Sequence, residues 1–331
     1  MGNQPFNVIV VLFWLATMSW LVAAKVLPPL RVGEPPNYGV IVDESRNEPP
    51  ACWAIQMNGK TIGWAANKLE RRKEGISELF SHVYFGELPL DELAPGWLAG
   101  VLKPVLSDLE LLDVEKRSRL VIDPLGRLTE FESNVRLANL IDAIKVKGRL
   151  EGSTLRLTVQ SGDISATVSR SLAPNALMGD ELTPQARLPN LRVGQQWTVP
   201  LYSPFRSATS PLDILQATVE REDPVIWDGR SVNTHVVVYR GDSGSGAAGD
   251  NTRARMWVRE DGVVLCQEVG VFKTPVRFKR LPPREAKSIW NALPEDWSQP
   301  VPRQLSRELF EKARRAASGA GFQAVATATD P

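Results

Sequence analysis

Residues able to do covalent chemistry are scarce in this chain. Cys52 and Cys266 are its two thiols, and His82 and His235 its two imidazoles. A Cys-His dyad between them is open in principle, because sequence distance does not exclude contact in space. Local support for one is missing. Neither cysteine is flanked by glycine, neither opens a helical pattern that would stabilise a thiolate, and no nucleophile elbow occurs. A zinc site needs three or four ligands at suitable spacing, and no His/Cys/carboxylate cluster is visible. Each histidine reads as a strand residue bonded to a neighbour. Asp91-Glu92, and Glu220 with Glu222, read as surface charges. No catalytic residue, metal or cofactor is assigned.

Two other compositional features suggest sites. The run Arg240–Asn251 is rich in Gly, Ser and Ala. A phosphate loop would open a helix and carry a Lys-Ser/Thr pair, whereas here a strand pattern follows, so the run reads as a hairpin tip. Of ten tryptophans, Trp53, Trp64, Trp97, Trp197, Trp227 and Trp257 lie in or beside strand patterns. A curved sheet lined by such rings can hold an apolar ligand or lipid chain, and Trp64, Trp197, Trp227 and Trp257 are the candidate ligand-binding residues. The alternative is that they fill the core of a large sheet.

The elements that would position these residues are mostly strands. Cys52–Met57, the tight-turn pair Asn58-Gly59 and Lys60–Leu69 form a hairpin pattern. Ile76–Phe85 is β-rich with mixed faces. Ile144, Val146, Gly148 and Leu150 alternate with charged residues, as one buried and one wet face require. Thr154–Gln160 and Ile164–Ser169 extend this into a meander, with Ile164, Ala166 and Val168 expected inward. Gln196–Tyr202, Ile214–Glu222, Ser231–Tyr239, Arg253–Glu260, Val263–Val269 and Val276–Arg280 complete the set. Leu90–Leu112 is apolar enough for one or two short helices, cut by Pro95 and Pro104. The fold class expected over residues 51–283 is mainly β: a large curved antiparallel sheet, half-barrel or open barrel, with short helices.

The flanks differ from this domain. Residues 6–24 carry no charge and match the length of a transmembrane helix. Val22-Ala23-Ala24 resembles a signal-peptidase site, but no Lys or Arg precedes the span, which favours a retained signal anchor. Prolines at 28–29, 35–36 and 49–50 predict a semi-rigid stalk over residues 25–50. Residues 284–317 predict a helical extension, and residues 318–331 a disordered tail. Gln304–Ala317 is amphipathic and basic. It either lies on an anionic membrane or docks on its own domain through Leu305, Leu309, Phe310 and Ala313. With 39 Lys and Arg against 38 Asp and Glu, no basic field exists to recruit nucleic acid. Two cysteines permit one disulfide, if their strands are neighbours, or two buried thiols.

Several segments share a wider pattern: Gly194-Gln195-Gln196-Trp197-Thr198-Val199-Pro200, Pro204-Phe205, Pro211-Leu212-Asp213, Val236–Arg240, Arg255–Glu268 and Ile122–Leu128. They resemble a family of uncharacterised, membrane-anchored β proteins of the bacterial (planctomycete-like) envelope. More distantly they are similar to the half-barrels of periplasmic lipoprotein carriers. Related chains sometimes place such a region before a transglutaminase-like domain; this chain has no segment left for one, so no catalytic triad carries over. The resemblance implies an inner-membrane, single-pass protein with an extracytoplasmic β domain and no catalysis of its own. Its implied partners are the bilayer, a lipid or glycolipid ligand, or an envelope protein. The rival readings are a hydrolase or transferase using Cys52 or Cys266, an accessory to a transglutaminase-like enzyme, and a purely structural envelope protein.

Overall fold

The computed structural model describes residues 4–21, 38–45, 48–89, 111–137, 140–172, 177–178, 182–202, 212–241, 252–270, 274–319 and 322–324. Helix α1 (Gln4–Leu21) is followed by a short helix α2 (Tyr38–Glu44). Then come strands β1 (Ala51–Met57), β2 (Lys60–Arg71), β3 (Ser77–Pro89), β4 (Leu111–Ile122), β5 (Leu128–Leu137), β6 (Leu140–Glu151), β7 (Thr154–Ser161) and β8 (Ile164–Ser171). The second half holds β9 (Leu177–Met178), β10 (Gln196–Tyr202), β11 (Leu212–Trp227), β12 (Arg230–Gly241), β13 (Thr252–Arg259), β14 (Val264–Val269) and β15 (Val276–Arg280). Helices α3 (Pro283–Trp290) and α4 (Arg303–Gly319) and the two-residue β16 (Gln323–Ala324) end the chain.

Fifteen of these strands form one path, β8-β7-β6-β5-β4-β3-β2-β1-β15-β14-β13-β12-β11-β10-β9, with β16 added on β11. Pairing is antiparallel except between β9 and β10. Tight turns set the register: Asn58 and Gly59 both take positive φ between β1 and β2, as do Asp228 and Gly229 between β11 and β12. The sheet is open, with β8 and β9 as its edges, yet it rolls toward closure. Leu155 and Leu157 of β7 share a core with Met178 of β9 and Tyr202 of β10.

Two faces result. On the concave face, Trp53, Ile55, Val83, Phe85 and Phe278 form the central core, continued by Val199, Leu215, Tyr239 and Met256. On the convex face, α3 and α4 cover the middle strands, packing Ile289, Leu309, Phe310 and Ala313 on Cys52, Ala54, Trp64, Phe80 and Tyr84. The basic amphipathic helix is therefore docked on its own domain. Polar anchors fix this clamp. Trp64 Nε1 donates to Ser306 O at 3.0 Å, and His82 Nε2 to Trp297 O at 2.8 Å. Val301 is held at both backbone groups: its N–H donates to Glu115 Oε1 at 3.2 Å and its carbonyl accepts from Arg136 Nη2 at 2.8 Å. Arg136 also ion-pairs with Glu115.

Several expectations are corrected. Strand β8 is exposed along its whole length, and Ile164 is 75 % exposed, because no described residue covers this edge of the sheet. The stalk expected over residues 25–50 includes helix α2, whose Val42 is buried against the β domain. The helical expectation for Leu90–Leu112 falls mainly on residues 90–110, outside the described residues, and Leu111-Leu112 open β4. Helix α1 has 18 residues, about 27 Å of helix, and no described helix is long and apolar enough to cross a membrane. Residues 22–24 of the expected span lie outside the described residues, as do Asp91-Glu92, the Gly-rich run at 242–251 and most of the tail.

Removing the Glu115 carboxylate takes the ion-pair partner from a largely buried Arg136 and the acceptor from the Val301 N–H, so Glu115→Ala costs about 3 kcal/mol in urea unfolding. Arg307→Ala, which breaks an exposed pair with Asp113, costs less than about 1 kcal/mol. Equal costs would contradict this account of the clamp. Burial pushes the His82 imidazole down to about 4. The unfolded chain then takes up a proton that the folded one refuses as pH falls from about 6.5 to 4, so stability is full above that window and drops by roughly 3 kcal/mol through it. His82→Phe flattens this part of the profile.

Candidate functional site: an apolar cavity on the concave face

Rolling the sheet forms a partly open cavity of about 240 Å³ on its concave side. Leu69, Leu79, Leu120 and Phe131 wall it from one half of the sheet, and Val199, Leu201, Leu215 and Met256 from the other. Helix α2 closes it through Tyr38, Ile41 and Val42, with Ser45 just beyond its end. Specific contacts help to seat this helix. The Met178 N–H donates to the Tyr38 hydroxyl at 2.9 Å. At the β4–β5 turn, a Cβ placed on Gly126 would lie 2.6 Å from Gly39 Cα, so only glycine allows this approach.

A segment running inside the rolled sheet, Thr183–Leu188, forms the remaining wall. Backbone inside a protein must find hydrogen-bond partners, and here strand side chains supply them. Asn67 Nδ2 donates to Pro184 O at 2.6 Å, Gln267 Oε1 accepts from Gln185 N at 2.8 Å, and Arg280 Nη1 donates to Ala186 O at 3.0 Å. Lys116 Nζ donates to Thr183 Oγ1 at 2.9 Å. Lys116 is 2 % exposed, and desolvation pushes its ammonium down to about 7.

The four candidate tryptophans lie apart from this cavity, and none lines it. Trp64 is on the convex face beneath α4. Trp257 packs edge-on to Phe322 at 5.5 Å and donates to Asp223 Oδ2 at 3.3 Å. Half-buried Trp227 donates to Arg280 O at 3.1 Å, with the Arg259 guanidinium over its ring at 5.6 Å. Trp197 is on the concave face, edge-on to Tyr239, one layer behind the lining residues. Trp97 lies outside the described residues. Large rings of either face look alike in sequence; only the roll of the sheet decides which side encloses space.

The reactive residues are also separated. Cys52 and Cys266 are buried free thiols on β1 and β14, with β15 running between those strands. Desolvation pushes both thiols up to about 12. His82 is committed to Trp297, and half-buried His235 lies 3.8 Å from Glu222. Among the described residues, no group of three or more His, Cys, Asp or Glu is placed to hold a metal ion. What sequence reasoning missed is Lys116 and its polar neighbours on β4 and β5. A lysine two residues from Val114 and four from Leu120, on the apolar side of the alternation, was the available signal.

Comparison with known proteins adds the following. No protein-family model matches this chain, and no curated protein matches it. Among solved structures, it is similar to a β-barrel-like protein of the domain of unknown function DUF1849 from Brucella abortus. That likeness has 10% identity and a TM-score of 0.42 over 70% of this chain and 95% of the other. It is also similar to a DUF1089 family protein from Pseudomonas aeruginosa, at 15% identity and a TM-score of 0.31 over 61% of this chain and 87% of that one.

Thiolates are the reactive form of cysteine, and these are both buried and disfavoured. Neither Cys52 nor Cys266 therefore reacts with iodoacetamide in the folded protein at pH 7.5, whereas both are alkylated in guanidinium, as read by intact mass. Rapid labelling of either thiol under native conditions would overturn the placement.

Proposed function

We propose that this chain is a binding protein whose concave cavity shelters the apolar part of an amphiphilic ligand of the bacterial envelope. The observation that carries this reading is the mainly apolar, partly open cavity of about 240 Å³. An apolar cavity of about 150 Å³ accepts benzene, so at similar packing this one takes about ten carbon atoms. That suits one medium-length chain or one ring system. A diacyl lipid would not be enclosed.

Location follows from the other end of the chain. Helix α1 leaves Phe13, Trp14 and Trp20 exposed and carries no charge, which supports an anchoring role at the inner membrane with the β domain outside the cytoplasm. Processing at Val22-Ala23-Ala24 is the alternative fate of the segment. Since α2 follows α1 in the chain and closes the cavity, an anchored protein would carry its ligand site close to the bilayer.

A partner protein is the second reading, favoured by the fully exposed edge strand β8, which can accept a further strand. A purely structural role gives the cavity no purpose. A cysteine-dependent activity finds no support in two buried thiols held in their protonated form.

Native mass spectrometry of the full-length chain, extracted from its own host, tests the reading. Co-purification of a single-chain amphiphile is expected. Ala254 lines the cavity, and Ala254→Phe fills it, so this variant loses the bound mass and at least about tenfold in affinity for a ten-carbon amphiphile. Unchanged binding by the folded variant would place the ligand elsewhere.

A further inference from the structure

The concave wall changes chemistry in layers across four strands. Register pairs Asn67 with Ser81, Ser81 with Ser118, and Ser118 with Ser133, so one continuous polar rung crosses β2 to β5. The rung nearer α2 is Leu69–Leu79–Leu120–Phe131, in register by the same pairings, and all four residues line the cavity. The rung on the other side is Ala65–Val83–Lys116–Val135. Along β4 alone the inward residues read Lys116, Ser118, Leu120, Ile122, with two-residue steps of about 6.7 Å. Charge lies deep, hydroxyl and amide next, and hydrocarbon at the end where α2 sits.

The polar rung has unused hydrogen-bonding capacity. Asn67 lines the cavity at 5 % exposure and spends its amide N–H on Pro184, while its Oδ1 has no protein partner. The Oγ atoms of Ser81 and Ser133, both buried, likewise have none. Buried polar atoms in this state are uncommon, and these three share a rung whose Asn67 and Ser118 line the cavity, with Ser81 and Ser133 flanking Ser118 in register, which marks a place where a polar group binds. The structural reading of Asn67 and Lys116, that they only hold the inner segment, explains their bonds to Pro184 and Thr183. It leaves the serines and Asn67 Oδ1 unexplained.

We propose that the cavity recognises a single-chain carboxylic acid, head inward at the Asn67–Ser81–Ser118–Ser133 rung within reach of the Lys116 ammonium, its chain lying along Leu79, Leu120 and Phe131 toward α2. The proposal rests on the cavity-binding reading above and adds the head group and its orientation. A carboxylate is an acceptor at both oxygens, and the serine hydroxyls and ammonium are donors that suit it. The long lysine stem lets the ammonium swing one rung along the strand. A trimethylammonium head offers no acceptor and opposes Lys116. An alcohol satisfies the rung but forgoes the charge.

The test is calorimetric titration of the full-length protein with decanoate, decanol and decyltrimethylammonium at pH 6.0, below the value of about 7 to which burial pushes Lys116, so that its ammonium is charged. Decanoate should bind about tenfold or more tightly than decanol, with decyltrimethylammonium weakest. Lys116→Met, a change of similar volume without the charge, should bring decanoate down to the decanol level and leave decanol within about twofold. Should Lys116→Met fail to fold, the paired Ser81→Ala and Ser133→Ala variant, which removes no charge, should weaken decanoate about tenfold. Equal affinity for decanoate and decanol in the parent protein would overturn the head-group assignment while leaving the cavity reading intact. So would decanoate binding that neither variant weakens. Failure of all three probes to bind would instead overturn the cavity reading itself.

Discussion

Strand β1 is buried at all seven positions, on both faces, and that constraint organises the molecule. A sheet strand alternates its side chains, so burial on both sides requires cover above and below. Trp53, Ile55 and Met57 face the concave core, while Cys52 and Ala54 face the convex helices. Neither cover comes from a second sheet. The convex side is covered by a C-terminal clamp that arrives straight after β15, the strand paired with β1, and the concave side by the sheet's own curl. Separation in sequence is what makes the clamp demanding. Glu115 and Arg136, cross-strand partners on β4 and β5, reach Val301 far along the chain, and a buried carboxylate-guanidinium pair is tolerable here because further hydrogen bonds to the Val301 backbone satisfy it.

On the concave side the demand is different. Thr183–Leu188 brings peptide groups into an interior that would otherwise be hydrocarbon, and each unpaired group there would cost stability. Strand side chains from β2, β14 and β15 supply the bonds, which places Asn67, Gln267 and Arg280 inside the sheet, while Lys116 of β4 bonds the Thr183 hydroxyl. The same interior holds Asn67 Oδ1 and the Ser81 and Ser133 hydroxyls without a protein partner, on the rung whose Asn67 and Ser118 line the cavity.

Closure of the cavity depends on a small contact. Helix α2 has only seven residues, too few to be stable alone, so its position comes from packing. The Gly39–Gly126 approach and the Tyr38 hydroxyl seat it between the β4–β5 turn and β9.

Turn chemistry and alternation made much of the sheet legible in the sequence. Asn58-Gly59 and Asp228-Gly229 fixed hairpins that the structure contains, and β10 and β15 match their sequence patterns residue for residue. Helix α4 was legible from its apolar stripe. Strands β4 and β5 were not, because both of their faces carry polar residues: Glu115, Arg117 and Arg136 outward for the clamp, Lys116, Ser118 and Ser133 inward. Alternation disappears where both faces carry polar groups, so the strands whose Ser118, Leu120 and Phe131 line the cavity were the ones whose pattern was weakest. Composition and local pattern determined a β domain with an apolar leader and a helical C-terminal extension. Which face of each strand encloses space was decided only by the curl of the whole sheet, a long-range property that no window of sequence contains.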